Sequence, residues 1–309
     1  MDVRKILVVG ATGAQGSATV AALAALLPSH PHLQILALTR SATAPKAQAL
    51  KERYPSVTIV QGDLTDPAAF LDSHSDIDSI FLVTVPPNDE AHGVVFIDAA
   101  VARNIRHIVF SSVDRGGEDK SWTNPSTVAH FAAKHRVELH LRAVTAKDPA
   151  TTRWTILRPA GFMDNYRPSS FGSMMAGLWA TMPADRKMQL VSVEDIGKVA
   201  AAILVNPEPW VGRAVGLAGD DLTFQEADGA YKRVYGHEMP RTWGLLSRGV
   251  RWAVADARQS MDWFEKEGFS VDMELLGRDG FGLQDFETWL RSDKERPLVE
   301  EVPRTEGNK

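Results

Sequence analysis

Residues 130 to 134 read His-Phe-Ala-Ala-Lys, inside the helix-like stretch VAHFAAKHRVELHLRAV. Four residues of an α-helix turn through about 400°, so His130 and Lys134 project from nearly the same face, one turn apart. Imidazole titrates near neutrality, and burial can move an ammonium toward it, so the pair has the makings of acid–base chemistry. Two such groups above small alanines can equally be solvent decoration, or His130 can fill a helix–loop contact. His130, His135 and His140 recur every five residues. Successive members point about 140° apart and do not converge on a metal ion.

A second chemical feature stands near the start. GATGAQG (10–16) follows a short aliphatic run and opens a helix-like stretch. A phosphate held at a helix N-terminus needs close backbone approach and free N–H groups, which side chains would obstruct. In that role Gly10 makes the tight turn, Gly13 admits a pyrophosphate and Gly16 lets the helix lie close to the sheet. Thr12, Ala14 and Gln15 complete the cradle. The next strand-like run ends Leu38-Thr39-Arg40-Ser41, with Lys46 beyond it. An acidic residue there would hold a ribose hydroxyl pair and repel a 2′-phosphate, whereas a guanidinium pairs with that phosphate, so Arg40 and Ser41 point to NADP(H) over NAD(H). Gly62-Asp63-Leu64 closes a third run, where a side chain meets the adenine edge or caps the next helix. Thr84 and Pro86, in TVPP (84–87), close a fourth on the nicotinamide side, where the prolines can also simply stiffen a turn.

These groups need a scaffold that delivers strand ends to one edge. Aliphatic runs recur at 5–10, 33–39, 57–62, 79–85, 107–113 and 154–159, separated by helical spacing such as SATVAALAALL and VVFIDAAVARN. Nearly continuous apolar strands alternating with helices specify a parallel sheet covered on both faces, and the doubly wound Rossmann α/β fold is the expected architecture. After about residue 160 the alternation gives way to helical segments, and six of the eight tryptophans fall there. The expected organisation is a dinucleotide domain over 1–158, with its sheet completed by a strand near 213–219. A smaller, mainly helical lobe for substrate or partner follows over 159–293, and then a charged, flexible tail over 294–309. A ligand cleft between the two parts is expected. Trp243, Trp252 and Trp263 are expected in the core of the lobe, unless one or two line the cleft, and Asp195 reads as a capping and packing residue.

With 309 residues, 44% of them hydrophobic, the chain can bury a large core. A net charge of -5 argues against direct nucleic-acid binding. The lack of cysteine excludes thiol nucleophiles, disulfides and cysteine metal sites. The first apolar run is too short for a membrane span and lacks a small-residue cleavage site, so a cytoplasmic protein is expected, or a nuclear one if it is regulatory.

The sequence resembles the NmrA-like group of atypical short-chain dehydrogenase/reductases over residues 4 to 291. The resemblance is carried by GATGAQG, Thr39-Arg40, Gly62-Asp63-Leu64, AHFAAK, LRPAGFMDNY (157–166), VSVEDIGKVAAAIL (191–204), GLAGDDLTFQEA (216–227), MDWFEKEGFSVD and FETWL, in that order. It implies a Rossmann domain, NADP(H) and a small C-terminal lobe. In catalytic short-chain reductases the matching helix carries Tyr-x-x-x-Lys, whose lysine holds the nicotinamide ribose, with a serine at the end of the preceding strand. By this resemblance Lys134 takes the lysine position as a cofactor contact and candidate catalytic group. Ser111 or Ser112 suits the serine, and His130 stands where the tyrosine would be.

Two functions follow from that departure. The first is a redox sensor that reads NADPH against NADP⁺ without turnover and signals to a protein partner, as resembling regulators lack the tyrosine too. The second is an NADPH-dependent reductase of a small carbonyl, imine or conjugated substrate that uses Lys134, His130 or both. The missing tyrosine favours the sensor.

Overall fold

The computed structural model describes residues 3–148, 150–242 and 255–295. A seven-stranded parallel sheet forms the centre, in the order β3-β2-β1-β4-β5-β6-β9. Its strands are β1 (Arg4–Val8), β2 (Leu33–Thr39), β3 (Thr58–Gln61), β4 (Ile77–Val83), β5 (His107–Ser111), β6 (Arg153–Pro159) and β9 (Ala214–Leu217). The helices that cross between them are α1 (Ala14–Leu26), α2 (Pro45–Arg53), α3 (Pro67–Ser73), α4 (Asp89–Ala102), α6 (Ala129–Thr145) and α8 (Val193–Val205), with a short α5 (Glu118–Thr123) before α6.

The strands are apolar on both faces because each face is roofed by helices. Side chains alternate along a strand, so Ile6 and Val8 enter one core with Val20, Leu23, Ile196 and Val199 of α1 and α8. Leu7 enters the other with Phe96, Ile97, Val137 and Leu141 of α4 and α6. Residues 6 to 8 are fully buried. α1 and α8 lie so close that a Cβ on Gly197 would come within 2.5 Å of the Ala18 carbonyl carbon.

A second sheet, β10-β8-β7, stands outside the first: β7 (Gly161–Phe162) runs parallel to β8 (Met188–Val191), and β10 (Asp220–Leu222) runs antiparallel to it. The sequence pattern does not announce these strands, since two to four residues are too few to establish a period of two. Around them pack α7 (Ser170–Trp179), α9 (Phe224–Tyr235), α10 (Ala255–Lys266) and α12 (Phe286–Glu295), with a third core of Met163, Tyr166, Trp179, Tyr231, Met261 and Trp289. A short α11 (Met273–Arg278) lies against β9. Asp195, in the first turn of α8, accepts from the backbone N–H of Gln284 at 3.0 Å and so ties the C-terminal segment to the main core. Trp263 is buried; Lys294 and Glu295, expected in the flexible tail, instead close α12, where Lys294 Nζ donates to the Val234 carbonyl at 2.7 Å, and Trp243, Trp252 and residues 296–309 lie outside the described residues. No described helix is long and apolar enough to cross a membrane.

One buried group makes this scaffold sensitive to acid. His107, 1% exposed at the start of β5, places Nε2 2.9 Å from the Thr155 hydroxyl oxygen, and its Nδ1 has no partner. Thr155 donates its own proton to the Trp210 carbonyl at 2.9 Å, so Nε2 is the donor to Thr155. Burial, reinforced by Arg153, pushes the imidazole from 6.5 down to about 4. Between those values the unfolded chain binds the proton that the folded chain refuses, so stability rises with pH across the window. Lowering pH from 7 to 4 is expected to remove about 3 kcal/mol through this group. His107→Gln, which keeps a donor for Thr155, is expected to flatten that part of the urea-denaturation profile; an unchanged slope between pH 4 and 6.5 would refute the assignment.

Candidate functional site

The strand order reverses direction between β1 and β4, and in open α/β sheets that reversal opens a crevice at the carboxyl ends of the strands. The glycine loop stands at its mouth. Gly10 adopts φ +69°, a left-handed turn that glycine enters without strain. Gly13 donates its N–H back to the Gly10 carbonyl at 2.9 Å and becomes the N-cap of α1. No side chain caps that helix, so its first-turn N–H groups are left to face the loop. A Cβ on Gly16 would sit 2.2 Å from the Gly10 carbonyl oxygen, which makes glycine obligatory there. Gly13 and Ala14 are exposed, and Thr12 and Gln15 are half-buried beside them.

Arg40 follows β2 and is exposed, next to a half-buried Ser41 whose hydroxyl is 3.2 Å from that of Thr43. This loop is braced from below: Ala42 donates its N–H to Gln61 Oε1 at 3.2 Å and accepts at its carbonyl from Gln48 Nε2 at 2.6 Å. Asp63 accepts from the Thr65 N–H at 2.9 Å, and that bond holds its carboxyl below the usual aspartate range. The N-cap of α3 is Asp66, so Asp63 closes the turn before the helix and not the helix itself. Leu64 packs against the α4/α6 core. Past β4, Thr84 is buried and Pro86 is exposed.

Lys134 reaches the ends of β4 and β5 from α6. Its residue exposure is 8%, and Nζ lies 3.2 Å from Asp89 Oδ1, 3.2 Å from the Thr84 carbonyl and 3.3 Å from the Ser111 carbonyl. Nζ also lies 3.4 Å from the Thr84 hydroxyl oxygen, so all three ammonium protons have acceptors within reach. Thr84 donates its hydroxyl to the same Asp89 Oδ1 at 2.8 Å. Burial pushes the lysine below its ordinary range, with Asp89 and then Glu138 pulling the other way. The Ser111 hydroxyl donates to Gln15 Oε1 at 2.5 Å and so links β5 to the glycine loop. Ser112, the residue just past the strand, instead accepts from Arg115 Nη1 at 3.4 Å. The His130 ring meets Phe131 edge-on at 4.6 Å between centroids, and Phe131 meets Trp263 in the same way at 5.2 Å. Lys134, Ser111, Gln15 and Thr84 therefore converge, while Ser112 belongs to a neighbouring network and His130 borders an aromatic cluster.

Sequence reasoning did not find Asp89, nor the charges one turn below Lys134. Glu138 is fully buried and forked by two arginines: Arg115 at 3.1 and 2.9 Å and Arg158 at 3.3 and 2.7 Å. Burial works to raise its pKa, but the two guanidiniums prevail and hold it below the ordinary glutamate range. Asp114, also buried, accepts from the N–H groups of Gly116, Gly117 and Ser270 at 2.9 to 3.2 Å. A polar cavity of about 130 Å³ borders Asp114 and Arg158. A more open groove of about 530 Å³ lies at the opposite end of the sheet, along the end of α6 and the start of β6.

Residues 2–244 match the model of the NmrA-like family. The chain belongs to that family. Among curated relatives of this NmrA-like chain, a (4-alkanoyl-5-oxo-2,5-dihydrofuran-3-yl)methyl phosphate reductase from Streptomyces griseus is 29% identical over 235 residues, 76% of this chain and 75% of that protein. Among solved structures, the negative transcriptional regulator NmrA in complex with NAD superposes with a TM-score of 0.70 at 18% identity, covering 94% of this chain and 95% of that one. The Escherichia coli NADPH-dependent quinone oxidoreductase QOR2, complexed with NADPH, gives 0.69 at 20%, covering 94% and 99%. These structures share the fold.

The buried triad makes a sharp stability prediction. Glu138→Gln removes the carboxylate bonded to both Arg115 and Arg158, and leaves two buried guanidiniums without that counter-ion. The expected loss is about 3–5 kcal/mol, read from urea denaturation at neutral pH. A loss under about 1 kcal/mol, the scale of an exposed pair, would mean that water reaches the cluster.

Proposed function

We propose that this chain holds NADP(H) across the carboxyl edge of its sheet and uses it to reduce a small, electron-poor conjugated substrate. The supporting observation is convergence: an uncapped helix N-terminus at Gly13, an arginine at the end of β2 and a buried lysine at the ends of β4 and β5 line one crevice. The residues fit the cofactor. Gly10, Gly13 and Gly16, with Thr12, Ala14 and Gln15 around them, give the pyrophosphate bare backbone. Arg40 and Ser41 take the 2′-phosphate, with Asp63 and Leu64 beside the adenine, and Thr84, Pro86 and Lys134 border the nicotinamide half.

When bound, NADPH supplies the hydride. The chain's own contribution is to orient and to exclude water. With its protons engaged by Asp89, Thr84 and Ser111, Lys134 is not a free acid. Acceptors that delocalise the incoming charge, such as enones and quinones, need such an acid least. The reductase relative from Streptomyces griseus supports this reading. A second reading, a sensor of the NADPH/NADP⁺ ratio acting through a protein partner, is favoured by the same saturated lysine.

Calorimetry on the folded chain is expected to give tighter binding of NADPH than of NADH by ten- to a hundredfold, about 1.5–3 kcal/mol for a charge-assisted pair. Arg40→Ala is expected to erase that difference by weakening NADPH alone. Equal affinities in the unaltered chain would overturn the 2′-phosphate assignment. Loss of reduced-nicotinamide absorbance with a quinone and enone panel is expected; tight NADPH binding without turnover of any member would leave the sensor.

A further inference from the structure

We propose that Asp89 and Lys134 form a charge pair that sets whether the site prefers the oxidised or the reduced dinucleotide, with Asp89 as the positioning residue that favours NADP⁺. The inference rests on the cofactor reading above and goes beyond it by assigning a role to a residue that no motif contains.

Oxidation places one positive charge on the nicotinamide ring, and reduction removes it. A buried group nearby therefore discriminates between the two forms by its own charge, because low dielectric leaves that interaction poorly screened. Lys134 opposes the cationic ring and favours NADPH. Asp89, 1% exposed, favours the cationic ring. The two are held 3.2 Å apart at the ends of β4 and β5, on the far side of the strand reversal from Arg40. Together they present a nearly neutral dipole, so neither form gains a large advantage.

The carboxylate is fixed in place. Thr84 donates its hydroxyl to Oδ1 at 2.8 Å, and Thr84 itself is 2% exposed. Lys134 is fixed as firmly by two backbone carbonyls. The charged groups facing this pair are limited. On α6 the next turn carries Glu138, whose charge is committed to Arg115 and Arg158. On α4, Glu90 turns to Arg136 at 2.6 Å. Removing either member of the pair thus leaves the other as the dominant uncompensated charge beside the nicotinamide half.

The signs of the two single variants are opposite, which a merely structural role does not produce. The ratio of the dissociation constant for NADP⁺ to that for NADPH is measured by calorimetry at pH 7.5 on the intact chain, with folding checked by circular dichroism. Asp89→Asn keeps the shape and loses the charge, and is expected to raise the ratio about tenfold. Lys134→Met is expected to lower it about tenfold. The double variant is expected to return to within about threefold of the unaltered chain, the signature of two coupled charges. A ratio that stays within twofold in both single variants, or that moves the same way in both, overturns the proposal while leaving the cofactor assignment intact. Absence of binding to either dinucleotide by the unaltered chain would remove the cofactor reading itself, and this inference with it. Should Asp89→Asn fail to fold, Lys134→Met alone still decides the sign.

Discussion

An ammonium taken out of water must find an acceptor for each of its protons, and that requirement at Lys134 organises the whole carboxyl edge of the sheet. The acceptors come from three places: the Thr84 carbonyl just past β4, the Ser111 carbonyl at the end of β5 and the Asp89 carboxylate at the start of α4. Serving one side chain on α6 fixes all four elements relative to one another. Ser111 extends the constraint, because its hydroxyl reaches Gln15 in the helix that the glycine loop opens. The glycine loop and the lysine are thus joined through a single residue of β5. These bonds hold the floor of the crevice in one arrangement.

One turn further along α6 the same problem recurs at larger scale. Glu138, Arg115 and Arg158 bury three charges, and Asp114 beside them brings the group to balance. Each spare donor of Arg115 finds a backbone carbonyl, at Val113, Ser121 and Asn124, between 2.6 and 3.1 Å. Trp122 lies under the Arg158 guanidinium at 4.0 Å from its centroid. Replacing such a cluster with apolar residues often costs nothing, so its value here is better sought in geometry than in net stability. It fixes the loop after β5, and Asp114 in that loop holds Ser270 of the C-terminal segment. Asp114 so joins the C-terminal segment to the loop that carries Arg115.

The legible parts of this design were those with a local signature. Alternating apolar residues announce the parallel strands, the spacing of glycines announces the turn into α1, and the i, i+4 relation of His130 and Lys134 places both on one helix. The illegible parts depend on partners distant in the chain. Asp89 and Glu90 together read as ordinary first-turn acids of a helix, which favour its dipole, and nothing local says that only Asp89 turns inward. Glu138 in HRVEL reads as a solvent-facing acid until β6 brings Arg158 beside it. Ser111 and Ser112 cannot be told apart by composition, since consecutive strand residues face opposite sides; only the positions of Gln15 and Arg115 show which serine meets the glycine loop.

That distinction bears on what histidine does at position 130. The ring stands against Phe131, beside an aromatic cluster of Trp263, Phe264 and Phe269, whereas Lys134 faces carbonyls and a carboxylate. A tyrosine-type mechanism needs the acid and the lysine to share one environment, so that the cation lowers the pKa of the phenol. Here the lysine's charge is answered mainly by Asp89, and its field is correspondingly weak toward any neighbour along the helix.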